Sequence, residues 1–174
     1  MFTVKILGCL FVIISSTMIG MEYSKKYTER LNNLVYVQNC IQLLETEIVY
    51  SCNPLPNALE NVYNKGNKKV SFLFEEIRKY LLENKDKTLF ESFEYSLSKF
   101  KDKLYLEDED TEIILSLGRV LGVSDRLDQE KHFKTILVNL EMNHKDANEK
   151  KSKNAKMYKS LGVLFGFALV LILY

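Results

Sequence analysis

Apolar residues along this chain fall into three regimes. From Ile6 to Tyr23 the run ILGCLFVIISSTMIGMEY is almost unbroken, with Glu22 its one charge. From Leu161 to Tyr174, LGVLFGFALVLILY carries no charge at all. Between these ends apolar positions recur every three or four residues, the period of a helix with one face turned inward. The sequence holds no strand-like alternation of useful length.

The periodic middle resolves into successive helices. Leu34, Val37, Ile41, Leu44 and Ile48 follow a 3-4-3-4 spacing, which aligns them on one face of a helix running straight out of the first apolar run. Asn53-Pro54 and Pro56 end it, because the residue before a proline is pushed out of helical geometry. A short second helix, about Pro56 to Tyr63, reaches Gly66. Val70, Leu73, Phe74, Ile77, Tyr80 and Leu81 mark a third. Phe90, Phe93, Leu97, Phe100 and Leu104 mark a fourth, after a polar Asn84-Lys85-Asp86-Lys87 turn. The fifth carries Ile113, Ile114, Leu117, Val120 and Leu121, and its first turn is rich in acids from Glu107 to Asp110, which suits the positive end of the helix dipole. Gly122 reads as its left-handed cap. Ser124 reads as the N-cap of a sixth helix, with Leu127, Phe133, Ile136, Leu137 and Leu140 inward. Beyond Leu140 the stripe fades into EMNHKDANEKKSKNAK, which reads equally as a solvated helical stalk or a flexible charged linker.

The pattern predicts an all-α protein: a helical bundle of about six helices between two terminal transmembrane helices. Residues 1–23 form the first span, 24–157 the bundle with a long C-terminal stalk, and 158–174 the second span. Eighteen residues at 1.5 Å rise give roughly 27 Å, close to the hydrocarbon thickness of a bilayer. An uncleaved anchor is expected rather than a signal peptide, since Met18 and Gly20 would occupy the −3 and −1 positions and Met fits poorly there. The second run gives about 21 Å, a thin span. Tyr158 and Tyr174 would mark its two interfaces, and Lys156 and Lys159 could snorkel to the headgroups. Gly162 and Gly166, with Ser16 and Gly20, have the small-x-x-x-small spacing that lets helices approach closely in lipid. The same spacing also recurs by chance in membrane helices.

Charge then sets an expected topology. Lys25, Lys26 and Arg30 follow the first span, and Lys150, Lys151, Lys153, Lys156 and Lys159 precede the second, against Lys5 alone outside. By the positive-inside rule the middle faces the cytoplasm. The overall balance of 24 basic and 23 acidic residues, without a one-sided basic stripe, argues against a nucleic-acid binder. Cys9, Cys40 and Cys52 form no C-x-x-C pair and leave an odd count, which indicates neither a disulfide framework nor a zinc site. Phosphate-loop, dinucleotide and H-E-x-x-H motifs are absent. His132 and His144 are too far apart on one helix to share a metal, and Glu45 and Glu47, at i and i+2, face different directions. No catalytic residue, metal, cofactor or small-molecule substrate is expected. The polar residues Asp125, Arg126, Asp128, Glu130, Lys131 and His132 crowd the start of the sixth helix, a position suited to docking a partner. Capping and intrahelical pairing, Asp128 with His132 for instance, is the plainer explanation. Arg30 reads as a residue that holds lipid headgroups.

Several segments resemble the stage III sporulation protein AB family of endospore-forming bacteria. They are YTER at Tyr27–Arg30, LLETEIVY at Leu43–Tyr50 with the Pro54-Leu55-Pro56 break and Ala58-Leu59, LGVSDRLDQEKH at Leu121–His132, and KMYKSLG at Lys156–Gly162. The LGVSDR turn with the following Gln129 and His132 is the most specific piece. The resemblance implies a non-catalytic platform subunit in the outer forespore membrane, within the complex joining mother cell and forespore. It implies a cytoplasmic domain similar to the helical domains of the type II secretion inner-membrane platform protein. Its implied partners are a secretion-type ATPase and the other membrane proteins of that complex. Asp125, Arg126, Gln129 and His132, with Arg30 and Glu45 from the other segments, are the candidate partner contacts. A two-span sensor is the rival reading; it would need a ligand-binding domain outside, where the expected topology leaves only a few residues.

Overall fold

Helices make up all the regular structure among the described residues. A computed structural model describes residues 2–121 and 126–173, with side chains from Leu7 to Leu121 and from Leu127 to Ile172. Helix α1 (Phe2–Glu45) leads into a π-helical turn (Thr46–Tyr50). Then follow α2 (Leu55–Lys65), α3 (Phe72–Glu83), α4 (Leu89–Leu104), α5 (Asp108–Val120) and α6 (Arg126–Lys150). A second π-helical turn (Lys151–Ala155) joins α6 to α7 (Lys156–Leu173). The chain divides into two compact units, Asn32–Lys145 and the pair of segments Met1–Leu31 and Asp146–Tyr174. The expected Gly122 cap and Ser124 N-cap lie outside the described residues.

The unit Asn32–Lys145 is built on the amphipathic stripes. Leu34, Val37, Ile41 and Leu44 of α1 are buried with Leu59 and Val62, Leu73, Phe74 and Ile77, Phe93 and Leu97, Ile114 and Leu117, and Phe133 and Leu140. Each such side chain contributes roughly 1.5–3 kcal/mol by leaving water. Helix ends are set locally. Thr88 caps α4 through a capping box: its hydroxyl accepts from Glu91 N at 3.2 Å, while Thr88 N donates to Glu91 Oε2 at 2.7 Å. At the other end Asn33 Nδ2 donates to Leu104 O at 2.7 Å, and Tyr105 turns the chain away at φ 55°. The acidic start of α5 closes a second box, with Glu107 N donating to Asp110 Oδ2 at 2.9 Å. Asp110 Oδ1 also accepts from Asn143 Nδ2 at 2.8 Å, which ties α5 to α6. Gly66 ends α2 where a Cβ would lie 2.7 Å from Val62 O and 2.9 Å from Cys40 Sγ.

Three expectations are corrected. The stripe of α1 does not continue to Ile48, which is half-buried; Val49 takes the inward position at 1% exposure. The π-helical turn is the cause, because an i→i+5 turn holds one more residue than an α turn and rotates the following side chains. Helical geometry also stops at Tyr50, before the prolines, with Cys52 at φ 53°. On α6, Leu127 is 71% exposed and Leu137 half-buried. Leu127 precedes Phe133 by six residues, so at 3.6 residues per turn it points about 120° away from the buried stripe. Residues 141–157, open between stalk and linker in the sequence, are helical throughout, with the second π-helical turn at Lys151–Ala155.

In the other unit the N-terminal part of α1 and α7 supply the two apolar helices. Leu7–Tyr50 and Leu127–Ile172 each contain a window long and apolar enough to cross a membrane, and 17% and 11% of those windows are buried. A core helix of a water-soluble domain hides such a surface.

Candidate functional site

Two parts of the unit Asn32–Lys145 that the sequence singled out meet where α1 ends and α6 begins. Glu45 closes α1 and is half-buried. Burial raises its carboxyl above the ordinary range, the charge of Glu130 on α6 raises it further, and Lys134 opposes both. Glu130 Oε1 accepts a hydrogen bond from Lys134 Nζ at 2.7 Å. That hydrogen bond first, and Tyr50 to a smaller extent, hold Lys134 above the ordinary lysine range; Tyr50, at the end of the π-helical turn, is 61% exposed. Gln129 is half-buried and His132 exposed. The pair expected between Asp128 and His132 is replaced by Asp128 with Lys131 at 3.2 Å, an i,i+3 contact that the flexible lysine reaches more easily than an imidazole. Asp125 lies outside the described residues. Arg126 opens α6, and its side chain lies outside them too.

Glu47, two residues on, has a different environment. The π-helical turn rotates it inward to 5% exposure. There its Oε2 accepts from Asn53 Nδ2 at 2.6 Å and Asn61 Nδ2 at 2.7 Å, and its Oε1 accepts from Lys65 Nζ at 2.6 Å. The hydrogen bonds from Lys65, Asn61 and Asn53, in that order, hold its carboxyl down at about 2. This one carboxylate ties the end of α1 to the loop after it and to α2. The sequence reading passed over it as half of a poor acid/base pair. The signal that was available is the run Glu47-Ile48-Val49, in which two adjacent apolar residues compete for one inward position.

Within the other unit, Arg30 is 3% exposed and its Nη1 lies 3.5 Å from Asp146 Oδ2, while Lys150 Nζ reaches the same oxygen at 2.9 Å. Lys150 first, then Arg30, holds the Asp146 carboxyl below the ordinary range. Arg30 is thus turned into the protein and not outward as a headgroup contact would need, and the half-exposed Asp146 is its counter-charge.

The four small residues of the two apolar helices, Ser16, Gly20, Gly162 and Gly166, come together in this unit. Ser16 Oγ donates to Gly162 O at 2.6 Å. A Cβ on Gly20 would sit 2.9 Å from Gly162 Cα and 2.7 Å from Tyr158 O; one on Gly166 would sit 3.1 Å from Ile13 Cα. Backbones pack here at a distance that a side chain would prevent. Beyond this seam the Tyr158 ring stacks with Tyr23 and with Tyr27, each with centroids 5.8 Å apart and planes at 20°. Among the described residues no group of His, Cys, Asp and Glu side chains is placed to hold a metal ion.

The chain matches the family described as stage III sporulation protein AB (spore_III_AB) over residues 5–174. It belongs to the stage III sporulation protein AB family. The stage III sporulation protein AB of Bacillus subtilis (strain 168) is 37% identical over 169 residues, which cover 97% of this chain and 98% of that one. A solved structure of stage III sporulation protein AB (SpoIIIAB) matches with a TM-score of 0.65 at 30% identity, over 72% of this chain and 98% of that chain. Membership of the stage III sporulation protein AB family carries a role in sporulation. In this member of the family, LLETEIVY supplies Glu45, Glu47 and Tyr50, and LGVSDRLDQEKH supplies Gln129 and Glu130, so two segments far apart in sequence share one end of the bundle unit.

Proposed function

We propose that the protein is a non-catalytic platform subunit of the secretion-like complex between mother cell and forespore. In this reading it sits in the outer forespore membrane with the bundle in the cytoplasm, and meets a secretion-type ATPase and the other membrane proteins of the complex. The observation that supports a docking role is the patch of Glu45, Tyr50 and Glu130. Burial and the nearby Glu130 carboxylate disfavour the charged form of Glu45, and Lys134 opposes both. A basic side chain from a partner would relieve the strain, and the exposed Tyr50 ring is the kind of residue that anchors an interface. Gln129 and His132 would flank that contact, and Asp125 and Arg126 are proposed as further partner contacts from the sequence alone. The work of the subunit is mechanical: α1 and α6 would pass an ATPase-driven movement to the spans, since packed helices move as rigid units.

Two experiments test this. Deleting the gene is expected to block late forespore gene expression while engulfment proceeds, and normal spore formation without it would overturn the proposal. Glu45→Lys, at unchanged membrane abundance, is expected to stop the ATPase from co-purifying with the full-length protein. Undiminished co-purification would remove the patch from the interface.

A further inference from the structure

A basic cavity of about 310 Å³ lies in the unit of the two apolar helices, lined by Thr28 of α1 and by Asn148, Lys151, Ser152, Ala155, Lys156 and Lys159. Its composition is one-sided: three ammonium groups, two hydroxyls and an amide, with no carboxylate in its lining. Among the described residues none of the three lysines has a carboxylate partner. The nearby acid Asp146 is engaged by Lys150 and Arg30. The lysines converge because of the second π-helical turn. In an uninterrupted α-helix Lys151 and Lys156 would project about 140° apart. The i→i+5 turn at Lys151–Ala155 narrows that angle, and Lys159 follows one turn later on α7. Single π-helical turns inside longer helices are often found where a helix has a binding task.

The cavity also has a defined depth along the sequence. Lys159 stands two residues before the uncharged run that opens at Leu161, and Thr28 stands five residues past Tyr23, where the first apolar run ends. Both helices thus bring the cavity to the level at which a bilayer changes from headgroup to water. We infer that it is a binding site for the phosphodiester headgroup of an anionic lipid, with the lysines neutralising the phosphate and Thr28, Ser152 and Asn148 hydrogen-bonding its oxygens. Basic pockets between spanning helices bind such headgroups, and each lysine near the surface contributes about a fivefold gain in affinity. The inference rests on the two-span reading of the chain and goes beyond the platform role.

The test uses the full-length protein in nanodiscs of phosphatidylcholine with and without cardiolipin, with retained lipid counted by native mass spectrometry. Retention of cardiolipin is expected. Lys151→Gln, Lys156→Gln or Lys159→Gln should each weaken it about fivefold, with thermal midpoints in pure phosphatidylcholine unchanged. Lys153→Gln makes the same charge change on an exposed residue outside the cavity and should leave retention as it was. Equal losses from Lys153→Gln and Lys156→Gln would mean diffuse surface charge and would overturn the site. If inorganic phosphate alone, added in lipid-free detergent, raises the thermal midpoint as far as cardiolipin does, the ligand is soluble phosphate and the lipid assignment falls. Release of the protein from membranes by alkaline carbonate would overturn the two-span reading and the site with it. Carbonate-resistant insertion with no preference for cardiolipin would overturn the site alone.

Discussion

Glu45 and Glu47 stand two residues apart, and their surroundings give them opposite effects on stability. Glu47 accepts three hydrogen bonds inside the bundle unit, the one from Lys65 also an ion pair. Its replacement by Gln puts an amide donor against Asn and Lys donors. Because Lys65 is more than half exposed, the ion pair is discounted, and an overall loss of about 1–3 kcal/mol is expected in a thermal or denaturant melt. The pH dependence has a fixed sign. The Glu47 carboxyl sits at about 2 against an ordinary 4.5, so its contribution is complete above 4.5 and fades as pH falls toward 2. The gap between the native protein and Glu47→Gln should close over that window. Glu45 behaves in the reverse way. Burial and Glu130 raise its carboxyl, so its charge opposes folding at neutral pH. Glu45→Gln is therefore expected to match or exceed the native melting temperature at pH 7, and a clear fall there would contradict this account of the patch.

The helices themselves were legible from the sequence because burial follows the 3.6-residue period, and Leu73-Phe74-Ile77 or Phe93-Leu97 have no competing arrangement. What escaped was every feature that depends on an extra residue in a turn. The π-helical turn at Thr46–Tyr50 moves the inward position from Ile48 to Val49 and swings Glu47 into the interior, and a fixed period cannot register that shift. Leu127 was misplaced for a simpler reason: an apolar residue in a first turn was counted into a stripe from which it is rotated by about 120°. The candidate residues divide along the same line. The spacing of Ser16, Gly20, Gly162 and Gly166 could be read directly, because close helix approach depends on local small residues. The partners of Arg30 and Glu45 could not, because Asp146 and Glu130 are distant in sequence. The seam also gives a prediction for these elements. A Cβ at Gly20 would be within 2.9 Å of Gly162 Cα, while one at Gly8 meets nothing within 4 Å. Gly20→Val should lower the melting temperature of the detergent-solubilised protein by the equivalent of about 1–3 kcal/mol, as overpacking does. Gly8→Val should stay within about 0.5 kcal/mol of the native protein, and similar losses from both would dismiss the seam.

For the whole molecule the proposed topology reduces to which side of the membrane carries Cys52. The chain offers this probe without engineering: Cys52 is exposed, Cys40 is buried and Cys9 lies in the first apolar run. Burial pushes the Cys40 thiol up to about 12, which keeps it unreactive at neutral pH. In growing cells made to express the protein in their plasma membrane, a membrane-impermeant maleimide should leave Cys52 unlabelled while the cells are intact and modify it once the membrane is opened. Labelling of intact cells would reverse the expected orientation and revive the sensor reading. The two ends of the span pair also differ in how they resist motion. The glycine seam is held by the hydrogen bond from Ser16 Oγ to Gly162 O. The Tyr158 ring, stacked on both Tyr23 and Tyr27, adds a second hold one turn away along α7. Sliding of α7 along α1 would therefore cost both the seam hydrogen bond and the ring stacking, so the two helices are expected to move as one body.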